Sequence, residues 1–355
     1  MKKIVLTGGG TAGHVTPNIA LIPHLQKAGY EVYYIGSKGG MEEELIKKCN
    51  IPYYGVSSGK LRRYLDKKNF SDIFKVVKGI FQAKHIIHKI KPDVVFSKGG
   101  FVAVPVVIGA AMNKVRVVAH ESDITPGLAN KLAMPFATAV CTTFPEAVKH
   151  IKDNKGIYTG TPIRDMLFTG TKEKGLNLCN FSGNKPIMLI MGGSQGSVKV
   201  NNSIRELLNK LLPKYDIVHL CGKGNLDKGL LDRAGYAQFE YISDELPDIF
   251  AMADFVVSRA GSNAICEFLA LHKPMLLIPL GRNASRGDQI LNAESFKKQG
   301  FAEVLDEEIM TMGSLFDTIN KIYDNREIYI NNMKNSQASD GINAVMEIIN
   351  AAAEK

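Results

Sequence analysis

At 355 residues the chain is too long for one ordinary core, which predicts two domains. Hydrophobic residues at 45% and charged residues at 22% are the shares of a soluble globular protein, and five cysteines, scattered without metal-ligand spacing, fit a reducing cytosol and exclude a zinc site. The net charge of +9 requires a partner or an explanation.

At the N-terminus, Met1-Lys2-Lys3 runs straight into Ile4-Val5-Leu6, and Gly8-Gly9-Gly10 ends that apolar run too early for a secretory signal. Residues 4–6 predict a buried strand and 8–14 a glycine-rich turn. Ile19, Ile22 and Leu25 then predict a helix closing at Gly29. Strand, glycine loop and helix form the first unit of a doubly wound parallel sheet, and a second strand is expected at 31–35. Gly8-x-Gly10-x-x-Gly13, with Glu31 following, also matches the spacing of a dinucleotide fingerprint, so a nicotinamide- or flavin-dependent enzyme is a rival reading. The His14-Val15-Thr16-Pro17 that follows is unlike a helix hugging a pyrophosphate.

Most of the excess charge lies between Lys60 and Lys91, where ten basic residues face two acids. Phe70, Ile73, Val76, Val77, Ile80, Ala83, Ile86, Ile87 and Ile90 recur at three- and four-residue spacing there and predict an amphipathic helix. A basic face of this kind suits an anionic membrane surface or plain solvation; without aromatic interleaving or a nucleic-acid motif, nucleic acid is not expected. The longest apolar run, 101–112, is broken by Pro105 and too short to span a bilayer. Strands are further expected at 52–56, 94–96, 115–119, 138–141 and 157–159. The loops Ser97-Lys98-Gly99-Gly100-Phe101 and His120-Glu121-Ser122-Asp123 fall at strand ends, the edge where open α/β sheets bind ligands.

Periodicity lapses around Thr161-Pro162-Ile163-Arg164, and 169–186 is polar and poor in pattern, so a domain boundary is placed there. The opening unit then recurs: a strand at 187–191, the turn Gly192-Gly193-Ser194-Gln195-Gly196-Ser197 and a helix over 198–212. Strands follow at 217–220, 238–242, 255–257, 275–278 and 302–305, and a last helix at 342–353 could pack back on the first domain. The expected domains are 1–164, 165–340 and the terminal helix 341–355. Within the second, Arg259-Ala260-Gly261-Ser262 turns from a buried strand into a helix whose first N–H groups suit an anion, with Glu267 placed to accept bonds from the vicinal hydroxyls of a ribose.

Two tandem Rossmann-like α/β domains, each opening on a glycine turn, resemble the GT-B glycosyltransferases. Four motifs narrow the resemblance to those members of glycosyltransferase family 28 that add N-acetylglucosamine to lipid I. They are G-G-T-A-G-H-V-T-P from Gly9, Gly99-Gly100-Phe101, G-G-S-Q-G-S from Gly192, and S-R-A-G-S-N-A-I-C-E from Ser258 with Asp288-Gln289 beyond. The resemblance implies a GT-B fold with parallel sheets facing a central cleft. It also implies an inverting, metal-independent hexosyltransferase that takes UDP-N-acetylglucosamine to lipid I, giving lipid II, with no cofactor.

By family position, Thr11, Ala12 and Gly13 face the donor's sugar and phosphates, Arg164 and Ser194 its diphosphate, and Ile242 the uracil. Ser262, Asn263, Ala264, Ile265, Cys266 and Glu267 cradle the nucleotide, and Asp288 and Gln289 lie near the sugar. His14 is the candidate base, with Glu121 and Asp123 as second choices; Asp123 also belongs to the donor contacts. Ala12, Asp123 and Asp288 depart from the usual glycine, asparagine and glutamine. Lys60, Arg62 and Arg63, with Gly99, Gly100 and the apolar 101–104, are expected to serve the acceptor and the membrane, placing a peripheral protein on the cytoplasmic face of the inner leaflet. A diacylglycerol glycosyltransferase, a UDP-sugar 2-epimerase and a non-catalytic sugar-nucleotide binder remain as alternatives.

Overall fold

The computed structural model describes residues 1–59, 68–193, 196–281, 287–336 and 341–354, with the backbone alone for 68–71. The chain forms two compact units, Met1–Arg164 together with Asp340–Lys355, and Asp165–Ser339.

In the first unit seven parallel strands run in the order β3-β2-β1-β4-β5-β6-β7. They are β1 Lys2–Thr7, β2 Tyr30–Ser37, β3 Tyr53–Val56, β4 Val94–Ser97, β5 Arg116–Glu121, β6 Ala139–Thr142 and β7 Gly156–Tyr158. Side chains alternate across a strand, so Ile4 and Leu6 face one layer and Val5 the other, and all three are fully buried. The first layer holds Val15, Leu21 and Leu25 of the helix Ala12–Lys27 with Val345 and Ile349 of the C-terminal helix Gly341–Glu354. Arg116 fastens that last helix through Ala352 O at 3.1 Å, as does Tyr30 through Asn350 at 2.8 Å.

The opposite layer holds Ala83 and Ile87 of the helix Lys68–Ile90 and Val106 and Val107 of Ala103–Met112. These two helices approach closely because Gly109 presents bare backbone at the contact: a Cβ there would lie 2.8 Å from Lys84 N. The apolar stripe expected along 68–90 therefore divides. Its later turns are buried, whereas Ile73, Phe74, Val77 and Phe81 are exposed, Phe74 at 72%.

The second unit holds six parallel strands in the order β10-β9-β8-β11-β12-β13. They are β8 Ile187–Met191, β9 Asp216–Leu220, β10 Tyr236–Phe239, β11 Phe255–Ser258, β12 Met275–Leu277 and β13 Ala302–Val304. All thirteen expected strands are present; β10 begins two residues before its expected start and ends before Ile242. The polar stretch 169–186 contains a helix, Lys172–Cys179, that pattern does not reveal. Polar contacts hold it: Thr171 Oγ1 accepts from Lys174 N at 3.4 Å, and Asp248 accepts from Thr171 N at 2.7 Å.

A buried histidine makes this second unit sensitive to acid. Asn201 Oδ1 lies 2.9 Å from His219 Nε2 and the Tyr236 hydroxyl 2.8 Å from Nδ1. An amide oxygen only accepts, so Nε2 carries the proton and neutral Nδ1 accepts from the tyrosine. Burial, and then the charge of Arg205, push the His219 pKa down to about 3. The folded value lies below the unfolded one, so stability is complete above the unfolded pKa and is lost as pH falls from about 6.5 toward 3, at about 1.4 kcal/mol per pH unit. Urea midpoints measured at pH 7 and pH 4.5 are expected to fall less for His219→Gln than for the wild type. Equal falls would show that this histidine does not set the acid limit.

Candidate active site

In each sheet the strand order reverses beside the first strand of its unit, and the loops leaving the carboxyl ends there carry most of the expected site residues. In the first unit β1 pairs with β4, and β4 with β5, so the loops after Thr7, Ser97 and Glu121 share one edge.

The first loop is held from below. Asn18 donates to Thr7 O at 3.2 Å and to the Tyr34 hydroxyl at 3.1 Å, and that hydroxyl donates to Gly8 O at 2.8 Å. Buried Glu42 accepts from Gly10 N at 3.3 Å and from Ser37 N at 2.8 Å. Gly100, at φ +85°, packs so closely that a Cβ would lie 2.2 Å from Gly9 O, so the two glycine loops meet through bare backbone. Ala12 opens its helix and is not among the residues of positive φ, so alanine introduces no backbone strain there. Thr11 Oγ1 lies 3.0 Å from His14 Nδ1, and His14 N donates to Thr11 O at 3.1 Å. Thr11, Ala12, Gly13 and His14 are all at least partly exposed.

Glu121 is almost wholly buried, and its carboxylate serves its own loop. It accepts from Asp123 N at 3.0 Å, Gly127 N at 3.1 Å and Asn130 Nδ2 at 2.8 Å. Burial raises its pKa, and those bonds work against the rise. Asp123 is partly exposed at the same edge. Val102, Ala103 and Val104 do not form the apolar surface expected of 101–104: they are buried in the core, and only Phe101 is partly exposed. A helix that starts at Ala103 turns these side chains inward, whereas Ile73, Phe74, Val77 and Phe81 are exposed.

Glu31 lies near the start of β2, opposite Lys3 in the register, and accepts a hydrogen bond from the Tyr33 hydroxyl. A dinucleotide ribose acid is needed at the carboxyl end of that strand, beside the glycine loop, so the fingerprint's spacing is not matched by its geometry.

In the second unit the loops after β8 and β11 share the corresponding edge. The helix Ser262–Ala270 begins there behind Gly261, and the Ile265 amide is the first to close onto Gly261 O, at 3.2 Å. Ser262, Asn263, Ala264 and Glu267 are partly exposed, while Ile265 and Cys266 are buried. Asp288 and Gln289 open the helix Asp288–Lys298, and Gln289 Oε1 accepts from Leu280 N at 3.0 Å. Ile242 is buried in the loop beyond β10. Arg164 closes the first unit's main stretch. Ser194, Lys60, Arg62 and Arg63 lie outside the described residues.

Three supporting side chains have contacts that the motifs do not reveal. Arg259 is a fastener: its Nη1 donates to Ile278 O at 3.0 Å, and its Nη2 donates to Ser197 Oγ at 2.6 Å and to Glu307 Oε1 at 2.5 Å. Ser197 also caps the helix Val198–Leu211 by accepting from Val200 N, so one guanidinium ties the loop after β8 to the loops after β11, β12 and β13. Glu42 and Lys98 are the other two, both fully buried at the edge of the first sheet. The visible signal for Lys98 was a lysine directly following the buried strand Val94–Ser97.

Comparison with known proteins bears on both edges. Residues 4–142 match the Glycosyltransferase family 28 N-terminal domain and residues 187–347 the Glycosyltransferase family 28 C-terminal domain. A UDP-N-acetylglucosamine--N-acetylmuramyl-(pentapeptide) pyrophosphoryl-undecaprenol N-acetylglucosamine transferase of Clostridium botulinum is 60% identical over 98% of this chain and 99% of its own. The Clostridium tetani protein of the same description is 60% identical over 98% and 97%. A crystal structure of Acinetobacter baumannii MurG superposes with a TM-score of 0.76 at 25% identity, covering 99% of this chain and all of that one.

Proposed function

Because the chain belongs to glycosyltransferase family 28, we propose that its two loop-bearing sheet edges serve one reaction, the transfer of a sugar from a nucleotide to a lipid-linked acceptor. The enzyme is a hexosyltransferase. It moves N-acetylglucosamine from UDP-N-acetylglucosamine to the muramyl sugar of lipid I, giving lipid II. The observation that carries this reading is 60% identity along nearly the whole chain to transferases of that description. A diacylglycerol glycosyltransferase and a 2-epimerase are not favoured.

In the reaction a hydroxyl of the acceptor attacks the anomeric carbon, its proton passes to a base, and UDP leaves with the electrons of the broken C–O bond. We assign the base to His14, with Asp123 and Glu121 as the alternatives. Glu121 is the weaker of these because its loop already uses its carboxylate. In the tautomer that donates Nδ1–H to Thr11 Oγ1, Nε2 keeps the lone pair that base catalysis needs. Ser262 to Glu267 hold the nucleotide and Glu267 the ribose. Ile242 meets the uracil, Asp288 and Gln289 lie beside the sugar, and Thr11 to Gly13, Arg164 and Ser194 serve the diphosphate region. Incubation with labelled UDP-N-acetylglucosamine and a lipid I analogue should move label into the lipid. UDP-sugar consumed without acceptor would overturn the reading in favour of the isomerase.

The acceptor's lipid gives the helix Lys68–Ile90 a purpose. No helix among the described residues is long and apolar enough to cross a membrane. On that helix Ile73, Phe74, Val77 and Phe81 form an exposed apolar face, with Lys75 and Lys78 alongside. This is the pattern of an interfacial helix on anionic lipid, where each basic residue contributes about 1 kcal/mol. Flotation with anionic vesicles is expected to carry the protein at low salt, and Phe74→Ser with Phe81→Ser to weaken that binding at least tenfold. Salt-independent or absent flotation would remove the membrane surface from the proposal.

A further inference from the structure

Lys98, the first residue beyond β4, is fully buried, as is His120 near the end of β5. The lysine Nζ lies 2.8 Å from His120 Nδ1 and 2.5 Å from Ser122 Oγ. His120 Nε2 lies 2.9 Å from Gly160 O, and a carbonyl only accepts, so Nε2 carries the imidazole proton and Nδ1 is the acceptor for the ammonium. Burial, and then the neighbouring lysine charge, hold the His120 pKa well below the ordinary imidazole value, so the ring stays neutral. The charge of this group therefore resides on Lys98.

Ser122 is the only member of the trio that is partly exposed. Its oxygen accepts from an ammonium that has no lone pair to offer in return, so the hydroxyl proton must turn away from Lys98. Among the described residues no acceptor takes it. The hydroxyl follows β5 at the sheet edge that also carries the loops after β1 and β4, and a Cβ on Gly8 would lie 3.3 Å from the Lys98 Cβ. The arrangement is thus a donor hydroxyl, polarised from behind by a buried cation, at an edge where glycines leave stretches of two neighbouring loops as bare backbone. A donor of this kind favours an anionic acceptor over a neutral sugar hydroxyl. The anionic oxygens that the two substrates share are those of a diphosphate.

We propose that Ser122 is a substrate-contacting residue that donates to a diphosphate oxygen, and that Lys98 is the positioning residue that orients and polarises its hydroxyl. This rests on the transferase reading, since it is that reaction which brings two diphosphates to the protein. Either the nucleotide donor or the lipid acceptor can supply the group.

Steady-state kinetics on Ser122→Ala, Ser122→Thr, Lys98→Met and the double variant Lys98→Met/Ser122→Ala test the proposal. Ser122→Ala should raise one KM about tenfold, with kcat and the other KM within about twofold, as expected for one charge-backed hydrogen bond. A raised KM for UDP-N-acetylglucosamine identifies the donor's diphosphate, and a raised KM for the lipid I analogue identifies the acceptor's. Threonine, which keeps the hydroxyl, should restore the wild-type value. Lys98→Met should raise the same KM, and the double variant should add little to it, because the two residues act as a unit. Both KM values unchanged in Ser122→Ala would overturn the proposal, as would a full extra loss in the double variant. If the wild-type protein moved no label into lipid, the transferase reading would fail by itself. The affinity for inorganic pyrophosphate, measured by calorimetry, would then decide: about tenfold weaker in Ser122→Ala supports the site, and equal affinity refutes it.

Discussion

His14→Ala is expected to lower kcat for transfer by roughly 10²–10⁴-fold, the usual contribution of a positioned general base, with KM for UDP-N-acetylglucosamine nearly unchanged. The selectivity follows from the local structure. The turn that carries His14 is held by backbone and by neighbours, through His14 N on Thr11 O, the Tyr34 hydroxyl on Gly8 O and Glu42 on Gly10 N. None of these contacts uses the imidazole, so alanine removes the proposed base and leaves the loop. The ring's own contact, with Thr11 Oγ1, fixes its direction, so Thr11→Val should give a smaller loss of the same kind, about tenfold in kcat. Rapid-quench or steady-state rates at saturating donor and acceptor measure both. A His14→Ala enzyme at near-wild-type rate would pass the role of base to Asp123 or Glu121.

Glu267→Ala is expected to act on the other side of the kinetics, raising KM for UDP-N-acetylglucosamine about 10–100-fold with a much smaller change in kcat. Glu267 stands on the helix Ser262–Ala270, on a side chain partly exposed between buried Cys266 and Phe268. Those two anchors fix the helix's rotation, so the carboxylate's direction is set by packing rather than by its own freedom. A carboxylate accepting two ribose hydroxyls makes charge-assisted bonds of about 1.5–3 kcal/mol each, part of which is regained by solvation once the partner is gone. Glu267→Gln keeps the shape and one acceptor oxygen and should fall between alanine and the wild type. Equal KM values for 2′-deoxy-UDP-N-acetylglucosamine and the normal donor in the wild-type enzyme would remove the ribose from this assignment.

The sequence made the layered parts of the fold legible because both sheets are parallel and covered on both faces. Strands such as Val94–Ser97 and Phe255–Ser258 are short apolar runs that end in glycine or polar turns, and such runs admit little else. The helix Lys172–Cys179 was hidden because polar caps and an approach to Asp248 hold it, with few apolar side chains. Likewise, 101–104 and 73–81 are both apolar, and periodicity alone cannot say which one packs against a partner helix. At the site, the motifs carried the loops but not their supports. Lys98 and Arg259 could be seen as residues, yet their partners Ser122, Ser197 and Glu307 lie 24, 62 and 48 positions away, and only the folded chain brings them within reach.

The C-terminal helix also imposes an order on how the chain is made. Val345 and Ile349 complete the same layer as Val15, Leu21 and Leu25, yet the intervening residues 165–339 form the other unit. At ribosomal rates of about 5–20 residues per second, the first half emerges roughly 10–40 s before the segment that closes its core. During that interval the part of this face that Val345 and Ile349 cover stays open, so the first unit is the client that a chaperone would meet, and the second can fold to completion first.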